Sequence, residues 1–233
     1  MNFFVEKKVL DLGLKIKFVV IENINNLKEI NYFEKNNLNE LIKKYENINL
    51  EEDEILKGYH KIHENGNISK RKNIPASENL IRLLIEKKTM YNINPIVDIY
   101  NYISIKTKIC LGAHDIDKTD GDVTLRFHNG LENYKPIGIN TSSNVKLNEY
   151  SYIDSNNDIL CRLEVRQVEK TKITEKSKNV FYIVEGNDKT TDEYLVSVCN
   201  EIISETTKIL GGKGYIEEVK IIWNLKHYVY IQI

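Results

Sequence analysis

Residues 14–21, LKIKFVVI, alternate apolar with polar and then become continuously apolar, which predicts a strand. Residues 36–47 put Leu38, Leu41 and Ile42 on one side and predict a short helix. Residues 51–64 open with Glu51, Glu52, Asp53 and Glu54, acids suited to a helix N-terminus, and continue with Ile55, Tyr59 and Ile62 at helical spacing before Gly66 ends the element. Ser77 is the expected cap of the next helix, whose buried stripe is Leu80, Ile81, Leu84 and Ile85. Asn94-Pro95 pairs a capping side chain with proline at the first helical position and predicts a helix over 95–107. From 122 to 186 the period changes to two: DVTLRF, YKPIGI, YSYID, DILCRLEV and NVFYIV read as short strands broken by Gly, Asn and Asp. Residues 190–210 predict a long helix stopped by Gly211-Gly212, and strands near 215–222 and 227–233 are expected to close the sheet. Neither an internal repeat nor a low-complexity linker interrupts the pattern. The expected architecture is one α+β domain spanning 1–233, helices first, then a β-rich half with a final helix packed on the sheet.

With 233 residues, 41% of them hydrophobic, the chain suffices for one sizeable core. No run of about 18 apolar residues exists, so no membrane span is expected. The N-terminus, MNFFVEKKVLDLG, carries acids early and has no small-residue cleavage site, unlike a signal peptide. Cys110, Cys161 and Cys199 are odd in number and widely spaced, which suits a reduced, cytoplasmic protein. A net charge of −1 gives no global signature of nucleic-acid binding. The distribution says more: residues 57–90 carry eight Lys/Arg against three acids, and residues 162–178 carry six against three. Such local excess fits either a surface facing a polyanion or ordinary solvated faces.

The chemistry-bearing residues fall in three places. Asp98, Asn101 and Ser104 lie three apart on the helix at 95–107 and share a side, which is either solvent-facing or the wall of a polar pocket. In LGAHDIDK, Gly112 permits close backbone approach, and His114 is expected in a turn beside Asp115 and Asp117. A neighbouring carboxylate can raise an imidazole pKa and fix its tautomer; the alternative is a structural hydrogen bond. A metal site from Cys110, His114, Asp115 and Asp117 lacks any CxxC or HxxxH partner elsewhere, so neither metal nor cofactor is expected. In CRLEVRQVE, a continuous strand would put Arg162, Glu164 and Arg166 on one side, either as exposed ion pairs or as pocket groups for a polar ligand.

Over residues 57–186 the chain resembles the B3/B4 domain, the editing domain of the phenylalanyl-tRNA synthetase beta subunit. It is closer still to free-standing proteins built from that domain alone. The VD-x-x-NY stretch is Val97, Asp98, Asn101 and Tyr102, and the LHAFDLDK-type segment is Leu111 to Lys118, nearly letter for letter the GAHDLDK of free-standing members. The GE-x-x-Y-x-D-like strand is Glu149, Tyr152 and Asp154, with Asn148 in place of the glycine. The CRRWNWRQ-like strand is CRLEVRQ, with Leu163 and Val165 replacing bulky aromatics. The histidine of the synthetase motif would fall on Gly112, two residues before His114.

The resemblance implies a layered α/β fold with a β-sandwich-like core and hydrolysis of misattached amino acids from tRNA, tyrosine from the phenylalanine tRNA in the synthetase. It implies a site in which His114 orients water, held by Asp115 or Asp117, while Asn101 and Ser104 meet the ester or α-amino group. Asp98, Gly112 and Thr171 would line the substrate pocket, with Arg166 and Glu169 setting side-chain selectivity; the family's selective glutamate falls on Glu169. Lys70, Arg71, Lys72 and the lysines at 170–178, Lys170 and Lys172 first, would hold the tRNA. Any editing would act in trans on the aminoacyl 3′ end, without a membrane. The alternatives are a non-catalytic tRNA- or RNA-binding module and a small amino-acid binder. The amino acid, the tRNA and the oligomeric state are not encoded legibly.

Overall fold

The first residues, FFVE, form a strand that pattern reading passes over because it is only four residues long: β1 (Phe3–Glu6). The computed structural model describes residues 1–26 and 30–223, so the strand expected at 227–233 lies outside the described residues. After β1 come α1 (Lys7–Leu10), β2 (Leu14–Glu22), α2 (Tyr32–Lys35), α3 (Leu38–Tyr45), α4 (Glu54–Asn65), α5 (Ala76–Lys87) and α6 (Pro95–Thr107). The β-rich half holds β3 (Cys110–Asp115), β4 (Val123–Phe127), β5 (Tyr150–Ile153), β6 (Ile159–Arg162), β7 (Arg166–Gln167) and β8 (Val180–Asn187). The last described elements are α7 (Asp192–Leu210), β9 (Lys213–Glu217) and β10 (Val219–Ile222).

These strands make two sheets. One runs β10-β1-β4-β5-β6-β7, with β1 parallel to both β10 and β4; the other runs β3-β8-β2-β9 and is antiparallel throughout. The second sheet is covered on both faces, and its sequences show why. In β2, Ile16, Phe18 and Val20 pack toward the first sheet, with Phe3, Tyr152 and Phe181, while Val19 and Ile21 pack toward α6 and α7. β8 divides likewise: Phe181 and Ile183 on one face, Val180, Tyr182 and Val184 on the other. Strands buried on both faces read as continuous apolar runs rather than alternation. The result is an α+β fold of three layers, two sheets packed as a sandwich and a helical layer outside. A smaller apolar cluster joins α3, α4 and α5 to Ile105 of α6.

The helix starts follow local chemistry. The Asn94 carboxamide accepts from Val97 N at 3.2 Å with Pro95 at the first helical position, and Lys108, at φ 63°, ends α6 in the left-handed region. Asp53, not the acids around it, caps α4 by accepting from Ile55 N and Leu56 N. Three expectations are corrected. Ser77 is not a cap: the helix begins after Pro75, and the buried Ser77 hydroxyl lies 3.3 Å from Cys110 Sγ. YKPIGI is a loop tied by single bridges, because Pro136 lacks a donor and Gly138 sits at φ 78°. DILCRLEV is not one strand: Leu163, at φ 53°, turns the chain, so Arg162, Glu164 and Arg166 do not share a face.

Lys170 fastens the sandwich edge. Its ammonium lies 2.6 Å from carboxylates of Asp120, Asp154 and Asp158, and Asp154 is wholly buried at its side chain. Removing the cation would leave three clustered carboxylates, so Lys170→Met should lower unfolding free energy by about 1–2 kcal/mol in urea titrations. An unchanged midpoint and slope would contradict this. No helix among the described residues is long and apolar enough to cross a membrane.

Candidate functional site

The turn at Leu163 and the open edge of β3 create a cavity of about 440 Å³ between the sheets and helices α5 and α6. α6 contributes Tyr100 and Asn101; β3 contributes Cys110, Leu111 and Gly112. The β6–β7 turn supplies Leu163, Glu164, Val165, Arg166 and Gln167, and Tyr152, Ile183 and Glu185 come from the facing sheets. Arg71 and Lys72, just before α5, stand at the mouth. Gly112 leaves room here: a Cβ would sit 2.7 Å from Gln167 Nε2, so that flexible amide would have to shift.

Charge is sorted by depth. Arg71, Lys72 and Arg166 are exposed, and none takes part in an ion pair among the described residues. Tyr152, Leu163 and Ile183 are buried apolar walls. Glu164 and Glu185 are buried at the floor, Glu185 only 1% exposed. Burial, then the neighbouring Glu164 charge, pushes the Glu185 carboxyl well above the usual range. Tyr152 donates to Glu185 Oε2 at 2.5 Å, and Tyr150 donates to Glu164 Oε2 at 3.2 Å. His63 Nε2 lies 2.6 Å from Glu164 Oε1, out of line for a good hydrogen bond. Glu185 Oε1 has no hydrogen-bond partner. A buried acceptor left open costs about 1–3 kcal/mol, which a donor arriving in the cavity would recover.

Cys110 and Cys161, the two cavity thiols, are free and buried. Burial and then the Glu164 charge push Cys110 well above its ordinary pKa, and burial followed by Glu185 does the same for Cys161.

Of the residues singled out from sequence, Asn101, Gly112, Glu164, Arg166, Arg71 and Lys72 are brought together at this cavity. The rest are placed elsewhere. The helix side bearing Asp98, Asn101 and Ser104 is buried, not solvent-facing. Two of its members hold helix ends: Asp98 accepts from Ile93 N at 2.9 Å, and Ser104 donates to the Ile109 carbonyl at 2.6 Å. Burial pushes the Asp98 carboxyl up to about 6 despite that bond.

His114 is in strand β3, not a turn, and is fully buried against Phe181 with Nδ1 2.8 Å from Thr171 Oγ1. It faces the same side as Gly112 but one side-chain repeat further along, about 7 Å by strand geometry, and does not line the cavity. The adjacent acids do not raise its pKa: burial lowers it to about 3. The Asp115 carboxylate is turned away, accepting from Ser177 Oγ at 2.6 Å and from Asp117 N at 3.1 Å. Asp117 instead accepts from the Asn179 carboxamide.

Glu169 belongs to a second, smaller hollow of about 300 Å³ with Tyr134, Lys135 and Lys170. It pairs with Lys172, which holds its carboxyl below the usual range. Lys70 pairs with Glu64, so of the expected tRNA-binding cations Lys70, Lys170 and Lys172 are already engaged within the chain.

The groups that sequence reading missed are His63 and Glu185; Glu164, named there as a possible pocket group, lines the cavity. Glu185 carried a signal: it is the single acid in VFYIVEG, a run otherwise free of charge. His63, directly after Ile62 on the apolar side of α4, carried a weaker one.

No curated protein matches the chain. Among solved structures, it is similar to the crystal structure of an N-terminal fragment of the phenylalanyl-tRNA synthetase beta-subunit from Pyrococcus horikoshii, at 14% identity and a TM-score of 0.49. That comparison covers 96% of this chain and 52% of the fragment, so the chain spans about half the fragment's length. The family model for the B3/4 domain matches residues 66–195, a range that contains every residue lining the 440 Å³ cavity, from Arg71 to Glu185. That match covers more than half of the sequence, and the chain belongs to the B3/4 domain family.

Proposed function

We propose that this chain deacylates mischarged aminoacyl-tRNA in trans, in the cytoplasm, with the aminoacyl 3′ end seated in the 440 Å³ cavity. One observation carries the reading: a cavity built wholly within the family-matched segment has free cations at its mouth and buried carboxyls at its floor. Arg71 and Lys72 meet the terminal phosphates, where point charges and guanidinium forks suit phosphate oxygens. The Asn101 and Gln167 carboxamides line the cavity and donate to the ester carbonyl, while Gly112, without a side chain, leaves room beside Gln167. An aminoacyl ester is already activated, so placing water and stabilising the developing oxyanion suffices, with a terminal ribose hydroxyl assisting. Glu164 and Glu185 read the side chain, a role that the sequence resemblance assigned to Glu169. Asp98, Ser104, His114, Asp115 and Thr171 act at one remove, by fixing α6 and β3.

The test is release of amino acid from a panel of mischarged tRNAs. The reading expects release from at least one member at a rate well above spontaneous hydrolysis, and no release from any member opposes it. A second reading, a tRNA-binding module without catalysis, is favoured by the thiols held protonated and by the imidazole kept outside the cavity. On either reading, Arg71→Glu/Lys72→Glu should weaken tRNA binding and flatten its salt dependence by roughly one counterion per lost contact. Lys172→Glu, at a cation already paired, should do neither to a comparable extent. Equal loss in both variants would move the tRNA path away from the cavity mouth.

A further inference from the structure

We infer that the cavity selects an aminoacyl group whose side chain is a methylene chain ending in an ammonium, the lysine and ornithine class; this rests on the aminoacyl-tRNA reading of the same site. The surfaces met on entering follow an order. The mouth is cationic at Arg71, Lys72 and Arg166 and suits phosphate and ester oxygens. The middle is apolar at Tyr152, Leu163 and Ile183 and suits methylenes. The floor is acidic at Glu164 and Glu185, with His63 as the one basic side chain within ion-pair distance of either carboxyl among the described residues. A ligand matching this order carries negative charge outside, a hydrocarbon stem within and positive charge at the tip.

The alternatives match it less well. An aliphatic tip leaves Glu185 Oε1 without a partner. A hydroxyl supplies one donor and no charge. A carboxylate tip meets two acidic groups and no basic side chain but His63. An ammonium has three donors and no acceptor, so it can donate to Glu185 Oε1 and to Glu164 together. Both carboxyls are already desolvated in the free protein, so binding adds only the desolvation of the ammonium itself. Selectivity built on an otherwise unpaired buried polar group discriminates strongly against ligands that lack the partner.

Calorimetric titration of the full chain tests this with non-hydrolysable 3′-aminoacylamino-3′-deoxyadenosines carrying lysine, ornithine, norleucine and tyrosine. Free lysine and free norleucine are titrated alongside. The expected result is binding of the lysyl or ornithyl compound at least ten-fold tighter than the norleucyl one, which differs from lysine only in the tip. Glu185→Gln should abolish that preference, read as the ratio of lysyl to norleucyl affinity within the variant. Norleucyl or tyrosyl binding as tight as lysyl overturns the inference, as does a preference that survives in Glu185→Gln. The wild-type panel decides the matter even if that variant fails to fold. A gain from the adenosine without preference for the ammonium removes the selectivity and keeps the tRNA reading. A lysine preference with no gain from the adenosine keeps the selectivity and removes the tRNA reading, and no binding by any compound removes both.

Discussion

Replacing His63 by alanine should lower the unfolding free energy by about 3–5 kcal/mol, the largest single effect expected in this chain. His63 is fully buried, and its Nε2 faces Glu164 Oε1 at 2.6 Å, with Glu164 itself nearly inaccessible. Taking the imidazole away leaves Glu164 buried beside Glu185, with the Tyr150 hydroxyl still donating to it. The carboxyl must then protonate or remain an uncompensated charge, and both cost free energy. The double variant His63→Leu/Glu164→Leu should recover much of the loss, since replacing both members of a buried pair by apolar groups is often close to neutral. Urea unfolding of the three proteins measures this. A loss below about 1 kcal/mol in His63→Ala, or additive losses in the double variant, would show that the pair is not coupled.

The second large effect is acid sensitivity from His114. The unfolded chain takes up a proton on this imidazole near pH 6.5, whereas burial holds the folded group down to about 3. Between those values the unfolded state binds more protons, so stability falls as pH falls, by up to about 1.4 kcal/mol per pH unit. Above pH 6.5 the imidazole is neutral in both states and adds no pH dependence. The unfolding free energy of the wild type relative to His114→Gln should therefore drop by about 3 kcal/mol between pH 7 and pH 4. A difference that stays constant over that range would mean that His114 titrates normally in the folded protein. The comparison is differential because carboxyls titrate in the same window. Glu185, raised above its ordinary value, has the opposite sign and loses stability as pH rises through its folded pKa.

Much of the fold was legible because its helices carry local signals. The Asn94-Pro95 start and the Gly211-Gly212 stop bound α6 and α7 as the sequence predicts. The strands were harder. β3 reads as a turn because Gly112, His114 and Asp115 are poor strand formers taken singly; pairing along its length with β8 overrides that preference. β1 is too short to announce itself and exists because β4 and β10 flank it. DILCRLEV looks continuous, yet Leu163 breaks it, and a left-handed non-glycine residue leaves no trace in a hydrophobic pattern.

The site was legible by halves for the same reason. Asn101, Gly112 and Arg166 were recognisable as polar residues in unusual settings, and they line the cavity. His114 and Glu169 looked more chemical, but burial enclosed one and Lys172 neutralised the other. The acidic floor depends on β8 crossing beneath the β6–β7 turn and on α4 presenting His63. Three segments distant in sequence make it, so no local spacing could reveal it.

On the proposed function, the aminoacyl end is bound and hydrolysed in this cavity. The direct test is amino-acid release from the mischarged tRNA panel by the wild type and by Gly112→Leu. Leucine at this strand position would project toward Gln167 and into the cavity, leaving the Arg71 and Lys72 mouth untouched. The account predicts that deacylation falls at least ten-fold while tRNA affinity changes less than two-fold and thermal unfolding remains cooperative. Undiminished release by a folded Gly112→Leu protein would contradict it and place the chemistry elsewhere on the fold.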